Sequence, residues 1–121
     1  AQYLQALAQE PDSVEVHNNL GLLYYRQGRM QKAEAQYLSG LYKNFEYFGI
    51  HFNLGNLYRA MGRLNEAIAA YQLAIRFNAY WVAPHKHLGE VYLKLGLEDQ
   101  AKVEFAVAAE LNSDAVNLSS Q

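Results

Sequence analysis

Apolar residues recur along this chain at intervals of three and four positions, the spacing that places side chains on one face of an α-helix. Between residues 14 and 27, for example, Val16, Leu20, Leu23 and Tyr24 share such a face, which is expected to be buried. The pattern restarts after short breaks and predicts an all-α chain. The expected helices are Gln2–Gln9, Val14–Gln27, Met30–Asn44, Phe48–Met61, Leu64–Asn78, Val82–Leu95 and Glu98–Leu111.

The same pattern returns every 34 residues through three marks: a Leu-Gly-x-x-Tyr box, a glycine and an Ala-x-x-x-aromatic box. The first boxes begin at Leu20, Leu54 and Leu88, the glycines are Gly28, Gly62 and Gly96, and the second boxes are Ala33/Tyr37, Ala67/Tyr71 and Ala101/Phe105. All marks keep phase without insertion or deletion. At these residues the chain resembles the tetratricopeptide-repeat family, whose unit is a helical hairpin.

The resemblance implies one domain over residues 1–121, a right-handed superhelical solenoid of antiparallel helix hairpins. Tyr3, Ala6 and Pro11 lie where a preceding repeat would place its aromatic, small residue and loop proline, so residues 1–13 are expected to be the second helix of a truncated repeat. The chain is thus expected to be a piece of a longer protein. Its complete repeats are Val14–Tyr47, Phe48–Trp81 and Val82–Ala115, followed by a tail, 116–121, too short to form a capping helix.

Glycine lies on the buried face in the middle of each first helix, where it costs about 1 kcal/mol relative to alanine. Close approach of the second helix would offset this cost. The expected pairs are Gly21 with Ala33, Gly55 with Ala67 and Gly89 with Ala101. The later glycines, Gly28, Gly62 and Gly96, are expected to end each first helix in the left-handed conformation. Asp12 or Ser13 would cap the helix that begins at Val14.

Histidine replaces the family's usual tryptophan at the fourth position of every repeat, at His17, His51 and His85. One metal ion could not bind all three, because stacked helices lie about 8–10 Å apart whereas zinc ligands lie about 2 Å from the ion. His85 and His87 point about 200° apart on one helix and do not form a chelating pair. We expect structural histidines that form hydrogen bonds at the ring edge, with no metal and no cofactor.

The surface left after the buried face is subtracted is the concave stripe, in which this family holds peptides. The candidate groove residues are Asn18, Asn19, Leu22, Tyr25, Arg26, Phe52, Asn53, Asn56, Arg59, Lys86, His87, Glu90 and Lys94. Asn19 and Asn53 share the sixth repeat position, where an amide could both donate to and accept from a peptide backbone. The alternative is that these asparagines are ordinary repeat residues on a solvated face.

Composition and charge limit the classes of partner that are expected. Lys and Arg number 10 against 12 Asp and Glu, a net charge of -2, so nucleic acid is not predicted. The stripe is nevertheless more basic than acidic, which favours a protein or peptide with some acidic character. The longest uncharged run, Tyr47–Tyr58, is too short and polar for membrane insertion. The absence of cysteine leaves the compartment open, although the cytoplasm is favoured over the periplasm.

One subfamily clamps the C-terminal carboxylates of heat-shock chaperones. Asn53 matches the middle element of that clamp, but Asn18 and Leu22 in repeat one, and Ala83 and His87 in repeat three, do not match, so the clamp is not predicted. Catalysis is not predicted either, because an open helical array gives no pocket where a nucleophile, base and orienter converge. The expected function is a scaffold or adaptor; the alternatives are a substrate-docking array of a larger enzyme or a self-assembly module.

The turns carry an excess of aromatics, Phe45, Tyr47, Phe48, Tyr80 and Trp81, in place of proline and small polar residues. Some are expected to pack beneath their own turn and the rest to be exposed. The last helix is expected to offer an apolar face to a hairpin that this chain lacks. A homo-oligomer is therefore expected, end to end through Phe105 or laterally through Tyr80 and Trp81. The residues expected on the uncovered face are Ala101, Phe105, Ala108 and Ala109.

Overall fold

The computed structural model describes residues 13–119, with side chains described up to residue 114, and every regular element in this range is an α-helix. The helices are α1 (Val14–Arg26), α2 (Met30–Lys43), α3 (Phe48–Ala60), α4 (Leu64–Phe77), α5 (Val82–Lys94) and α6 (Glu98–Ser119). Three hairpins form from α1 with α2, α3 with α4 and α5 with α6, and contacts of α2 with α3 and of α4 with α5 join them. The predicted all-α solenoid is confirmed; the predicted helix Gln2–Gln9 lies outside the described residues.

Glycine ends each first helix as predicted. Gly28, Gly62 and Gly96 have φ values of 78°, 76° and 77°, and beyond their immediate chain neighbours no atom lies within 4 Å of where a Cβ would be. The backbone conformation alone therefore requires glycine here. At the other end of α1, the Ser13 hydroxyl accepts a hydrogen bond of 3.0 Å from the Val16 amide, which makes Ser13 the N-cap.

The second helix approaches each mid-helix glycine closely, as predicted, but the nearest residue is an aromatic ring rather than the expected alanine. A Cβ on Gly55 would lie 2.5 Å from the ring of Tyr71, and one on Gly89 would lie 2.7 Å from Phe105; Gly21 approaches Tyr37 in the same way. The paired alanines, Ala33, Ala67 and Ala101, are indeed buried, but the ring one turn further along the second helix lies over the glycine.

The last helix is longer than predicted. No proline or glycine follows Leu111 to stop it, and α6 continues to Ser119, past the expected end of the third repeat. Its predicted apolar face is also partly wrong. Ala101 and Ala108 are already buried within their own hairpin, and Phe105 packs on Gly89, which leaves Ala109 exposed.

His51 and His85 hold the turns between hairpins, whereas His17 makes its contact within the first hairpin. His51 is 1% exposed, and its Nε2 donates a hydrogen bond of 2.6 Å to the carbonyl of Phe45. His85 makes the equivalent bond, 3.2 Å long, to the carbonyl of Ala79. His17 lies half-buried, with Nδ1 2.8 Å from the side-chain oxygen of Gln36. Among the described side chains, no three His, Asp or Glu residues come together in a way that could hold a metal ion.

Glu34 joins the first two hairpins through two polar contacts. Between the first two hairpins, Glu34 accepts a hydrogen bond of 2.8 Å from the Tyr58 hydroxyl and pairs with Arg63 at 3.3 Å. Burial and the neighbouring carboxylate raise the pKa of Tyr58 to about 12.

In the part of the chain that the structure describes, no helix combines the length and apolar character needed to cross a bilayer.

Candidate functional site

The predicted stripe forms one connected surface on the first helices α1, α3 and α5. Asn53 on α3 donates a hydrogen bond of 2.8 Å to the side-chain oxygen of Asn18 on α1. On the other side of α3, Arg59 pairs with Glu90 of α5 at 2.7 Å. Direct side-chain contacts therefore link three successive first helices across the stripe.

The asparagine pair differs from the expected ladder. Asn53 bonds to Asn18, at the fifth repeat position, rather than aligning only with Asn19 at the sixth. Both partners are half-buried, and a side-chain amide has two donors and an oxygen with two lone pairs, so this bond leaves capacity for a peptide backbone. The sixth position of the third repeat holds His87 instead of asparagine.

A basic pocket lies in the C-terminal half of the groove between α3 and α5. It has a volume of about 520 Å³, and its lining residues are Tyr25, Asn56, Arg59, Ala60, His87 and Lys94. Arg59 donates a hydrogen bond to the carboxylate of Glu90, which raises the pKa of Arg59 and keeps the guanidinium charged. Burial lowers the pKa of His87 below its ordinary value, which favours the neutral ring. The pocket thus carries positive charge from Arg59 and Lys94, partly offset by Glu90.

Polar contacts hold the floor of this pocket. The side-chain oxygen of Asn56 accepts hydrogen bonds from the Tyr71 hydroxyl, at 2.5 Å, and from Nδ1 of His87, at 3.1 Å. Tyr71 is fully buried, and burial raises its pKa to about 12, so its hydroxyl remains a donor at neutral pH. Asn56 is therefore positioned by the core beneath it.

An aromatic cluster lies at the other end of the same groove. The ring of Trp81 lies 4.5 Å from that of Phe52 and 5.5 Å from that of Phe48, and Phe52 lies 5.1 Å from His87. Beside this cluster is an apolar pocket of about 460 Å³. Its lining residues are Tyr47, Phe48, Gly49, Asn78 and Trp81.

Sequence reasoning treated the turn aromatics and the stripe as separate features, but the structure joins them. Trp81 is the N-cap residue of α5, and Phe52 is a stripe residue of the neighbouring first helix. The signal was an aromatic just before one first helix together with another on the stripe of the preceding repeat. Of the remaining turn rings, Tyr80 is 84% exposed, and Phe45 is 54% exposed although it packs edge-on against His51 with ring centroids 4.9 Å apart.

The other candidate residues are less enclosed. Leu22 and Tyr25 on α1 are half-buried, whereas Arg26, Lys86 and Lys94 are exposed along the groove. Phe105, proposed as an oligomer contact, is half-buried against Gly89.

Comparison with known proteins gives a consistent family signal. A profile described as TPR repeat matches residues 1–28 and 55–96, together more than half of the chain, and a second, described as tetratricopeptide repeat, matches residues 18–42. A comparison with curated protein sequences finds no significant match.

Solved structures share the fold. A crystal structure of MamA superposes with a TM-score of 0.89 at 23% identity, over 95% of this chain and 67% of that one. A structure of MamA AMB-1 gives 0.77 at 27% identity, over 92% and 61%. The second TPR of Spaghetti (RPAP3), bound to HSP90 peptide SRMEEVD, gives 0.78 at 18% identity, over 85% and 95%. The chain spans about two thirds of the length of the MamA structures.

Proposed function

The chain belongs to the tetratricopeptide-repeat family, and on that premise we propose that it is a non-catalytic module that holds a peptide or protein partner in the concave groove of α1, α3 and α5. The observation that carries this proposal is the connected stripe, in which Asn53 contacts α1 and Arg59 contacts α5. A similar fold has been solved with a peptide bound, in the second TPR of Spaghetti (RPAP3).

Charge supports a partner with some acidic character. Arg26, Arg59, Lys86 and Lys94 lie along the groove against two acidic residues, Glu15 and Glu90, although the chain as a whole is net acidic. Because basic side chains outnumber acidic ones on this surface, whereas the reverse holds for the chain as a whole, an acidic segment would be attracted to the groove. The same groove would also serve substrate docking for an attached enzyme, since the binding step is the same in both settings.

Selection from a random peptide display library, followed by calorimetry on the selected peptides, tests the proposal. Asn53→Ala is expected to weaken binding by about 1–3 kcal/mol because partly buried peptide groups lose an amide partner. Lys102→Ala, on the exposed surface of α6, is the control and should leave affinity unchanged.

Amide chemical-shift mapping locates the bound peptide independently of any substitution. Perturbations confined to α1, α3 and α5 would support the groove. A selected peptide that perturbs only α2, α4 and α6, or a selection that enriches no peptide, would contradict the proposal.

A further inference from the structure

Two cavities of different chemistry open on the same groove. The apolar pocket lies where α3 and α5 begin, beside Gly49 and Trp81. The basic pocket lies where the same helices end, beside Ala60 and Lys94. From residue 49 to residue 59 the helix rises about 15 Å at about 1.5 Å per residue, which gives the approximate separation of the two pockets.

A continuous row of side chains joins the pockets. The ring centroids of Trp81 and Phe52 are 4.5 Å apart, and those of Phe52 and His87 are 5.1 Å apart. Nδ1 of His87 lies 3.1 Å from the side-chain oxygen of Asn56. The surface between the pockets is thus aromatic at one end and polar at the other.

We infer that the two pockets act as a pair, selecting an extended peptide in which a bulky apolar side chain and a carboxylate are separated by four to five positions. An extended chain advances about 3.3 Å per residue, so four to five residues span about 15 Å. This inference rests on the proposed groove function and specifies the peptide that the groove selects.

The lining of each pocket argues for its occupant. The rings of Tyr47, Phe48 and Trp81 line the apolar pocket, and its volume of about 460 Å³ accommodates a Phe or Leu side chain. In the basic pocket, Arg59 and Lys94 outnumber Glu90. A guanidinium has five N–H donors, more than Glu90 and Tyr71 use, so Arg59 can also bind an incoming carboxylate.

A synthetic peptide series provides the probe. Each labelled peptide contains one Phe and one Asp in a Ser/Thr background, separated by two to eight positions, in both chain orders. Fluorescence anisotropy is expected to show tightest binding at a separation of four or five in at least one order. Replacing Phe by Ala or Asp by Asn in the best peptide should each weaken binding about tenfold.

Gly49→Leu tests the apolar pocket without removing any packed side chain. A Cβ at Gly49 would contact only the Tyr47 ring, at 3.4 and 3.9 Å, so a larger residue fits and fills the pocket. This variant should bind the best peptide about tenfold more weakly and become insensitive to the Phe→Ala change. Ala83→Leu, at the equivalent position of the third repeat, is the matched control and should retain both properties.

Charge variants test the basic pocket in opposite directions. Lys94→Gln should weaken the best peptide about fivefold to tenfold and reduce its preference for Asp over Asn, whereas Lys102→Gln on α6 should do neither. Glu90→Gln should strengthen binding, because it removes the carboxylate that competes for Arg59. If Glu90 only held Arg59 in place, Glu90→Gln should instead weaken binding.

The outcomes separate this inference from the groove itself. Binding that is independent of separation, or unaffected by Gly49→Leu and Lys94→Gln, overturns the two-pocket inference; the groove function survives if the shifts still map to α1, α3 and α5. If no peptide of the series binds while display-selected peptides do, the inference also fails. If neither set binds, both proposals fail.

Discussion

One buried histidine shows how a single residue can stabilise a repeat turn. The Nε2–H of His51 donates a hydrogen bond to the carbonyl of Phe45, six residues earlier, and the rings of His51, Phe45 and Phe77 form a cluster with centroids 4.9 to 5.9 Å apart. His85 makes the same bond to Ala79, although not the same ring contacts. Phe45 and Ala79 occupy the loop position where repeats of this family usually have proline. The histidine hydrogen bond therefore stabilises a turn that lacks proline.

This burial predicts a loss of stability in mild acid. Burial lowers the pKa of His51 below its ordinary value of 6.5, so the unfolded chain binds a proton at pH values where the folded chain does not. The contribution of His51 to the free energy of unfolding is therefore complete above about pH 6.5. It should be lost as the pH falls from there through the lower pKa of folded His51. Urea denaturation between pH 7.5 and pH 5 measures this slope.

The variant His51→Gln isolates the contribution of this ring. It should be less stable than the native chain at pH 7.5, because Gln fills the site poorly, but its stability should depend less on pH. His87, whose pKa is also lowered by burial, supplies part of the remaining slope. An unchanged slope in the His51→Gln, His87→Gln double variant would contradict this account.

At the scale of the helix pair, the mid-helix glycine is explained by the ring that covers it. Tyr71 is fully buried and fixed by its hydroxyl bond to Asn56, so it cannot move away from a Cβ placed 2.5 Å from its ring. Gly55→Ala should therefore destabilise the fold by about 1–3 kcal/mol, despite the better helix propensity of alanine. Chemical denaturation measures the change.

Gly49→Ala is the matched control on the same helix. Its Cβ would make only ordinary contact with Tyr47, so this variant should be as stable as the native chain or more stable by up to about 1 kcal/mol. If Gly55→Ala matched or exceeded native stability, the close approach of Tyr71 would not be the reason for glycine at this position.

The same helices show what could be predicted from the sequence. The periodicity located every described helix, and α1 to α5 end one residue before the expected bound because Gln27, Asn44, Met61, Asn78 and Leu95 are their C-cap residues. The glycine partner was missed because repeat spacing shows that both Ala67 and Tyr71 recur, but not which one lies over Gly55. The link between Trp81 and Phe52 was missed for a related reason: it depends on how one hairpin is rotated against the next.

At the scale of the whole array, the third hairpin differs from the first two on the surface that would meet a further repeat. Met30 and Leu64 correspond to Glu98, Glu34 and Ile68 to Lys102, and Leu41 and Ile75 to Ala109. In the first two hairpins these residues are buried or half-buried against the next hairpin, whereas Glu98, Lys102 and Ala109 are exposed. Glu98 and Lys102 therefore place charged side chains where the second hairpin has Leu64 and Ile68.

This polar face argues against end-to-end association of the native chain through α6, and Phe105 does not change the argument because its ring is used against Gly89. Restoring the apolar residues of the second repeat should reverse the behaviour. The triple variant Glu98→Leu, Lys102→Ile, Ala109→Ile should associate at concentrations where the native chain does not, because it exposes the contiguous apolar surface that α4 normally buries. Sedimentation velocity across a concentration series makes the comparison.

The control is the double variant Lys94→Gln, Ala106→Ser. It changes exposed residues outside the three substituted positions and should sediment like the native chain. A native chain that associates as strongly as the triple variant would show that the polar character of this face does not prevent stacking. Equal association of all three proteins would mean that the contact does not depend on the three substituted positions, and Tyr80→Ser would then test whether the exposed Tyr80 ring contributes.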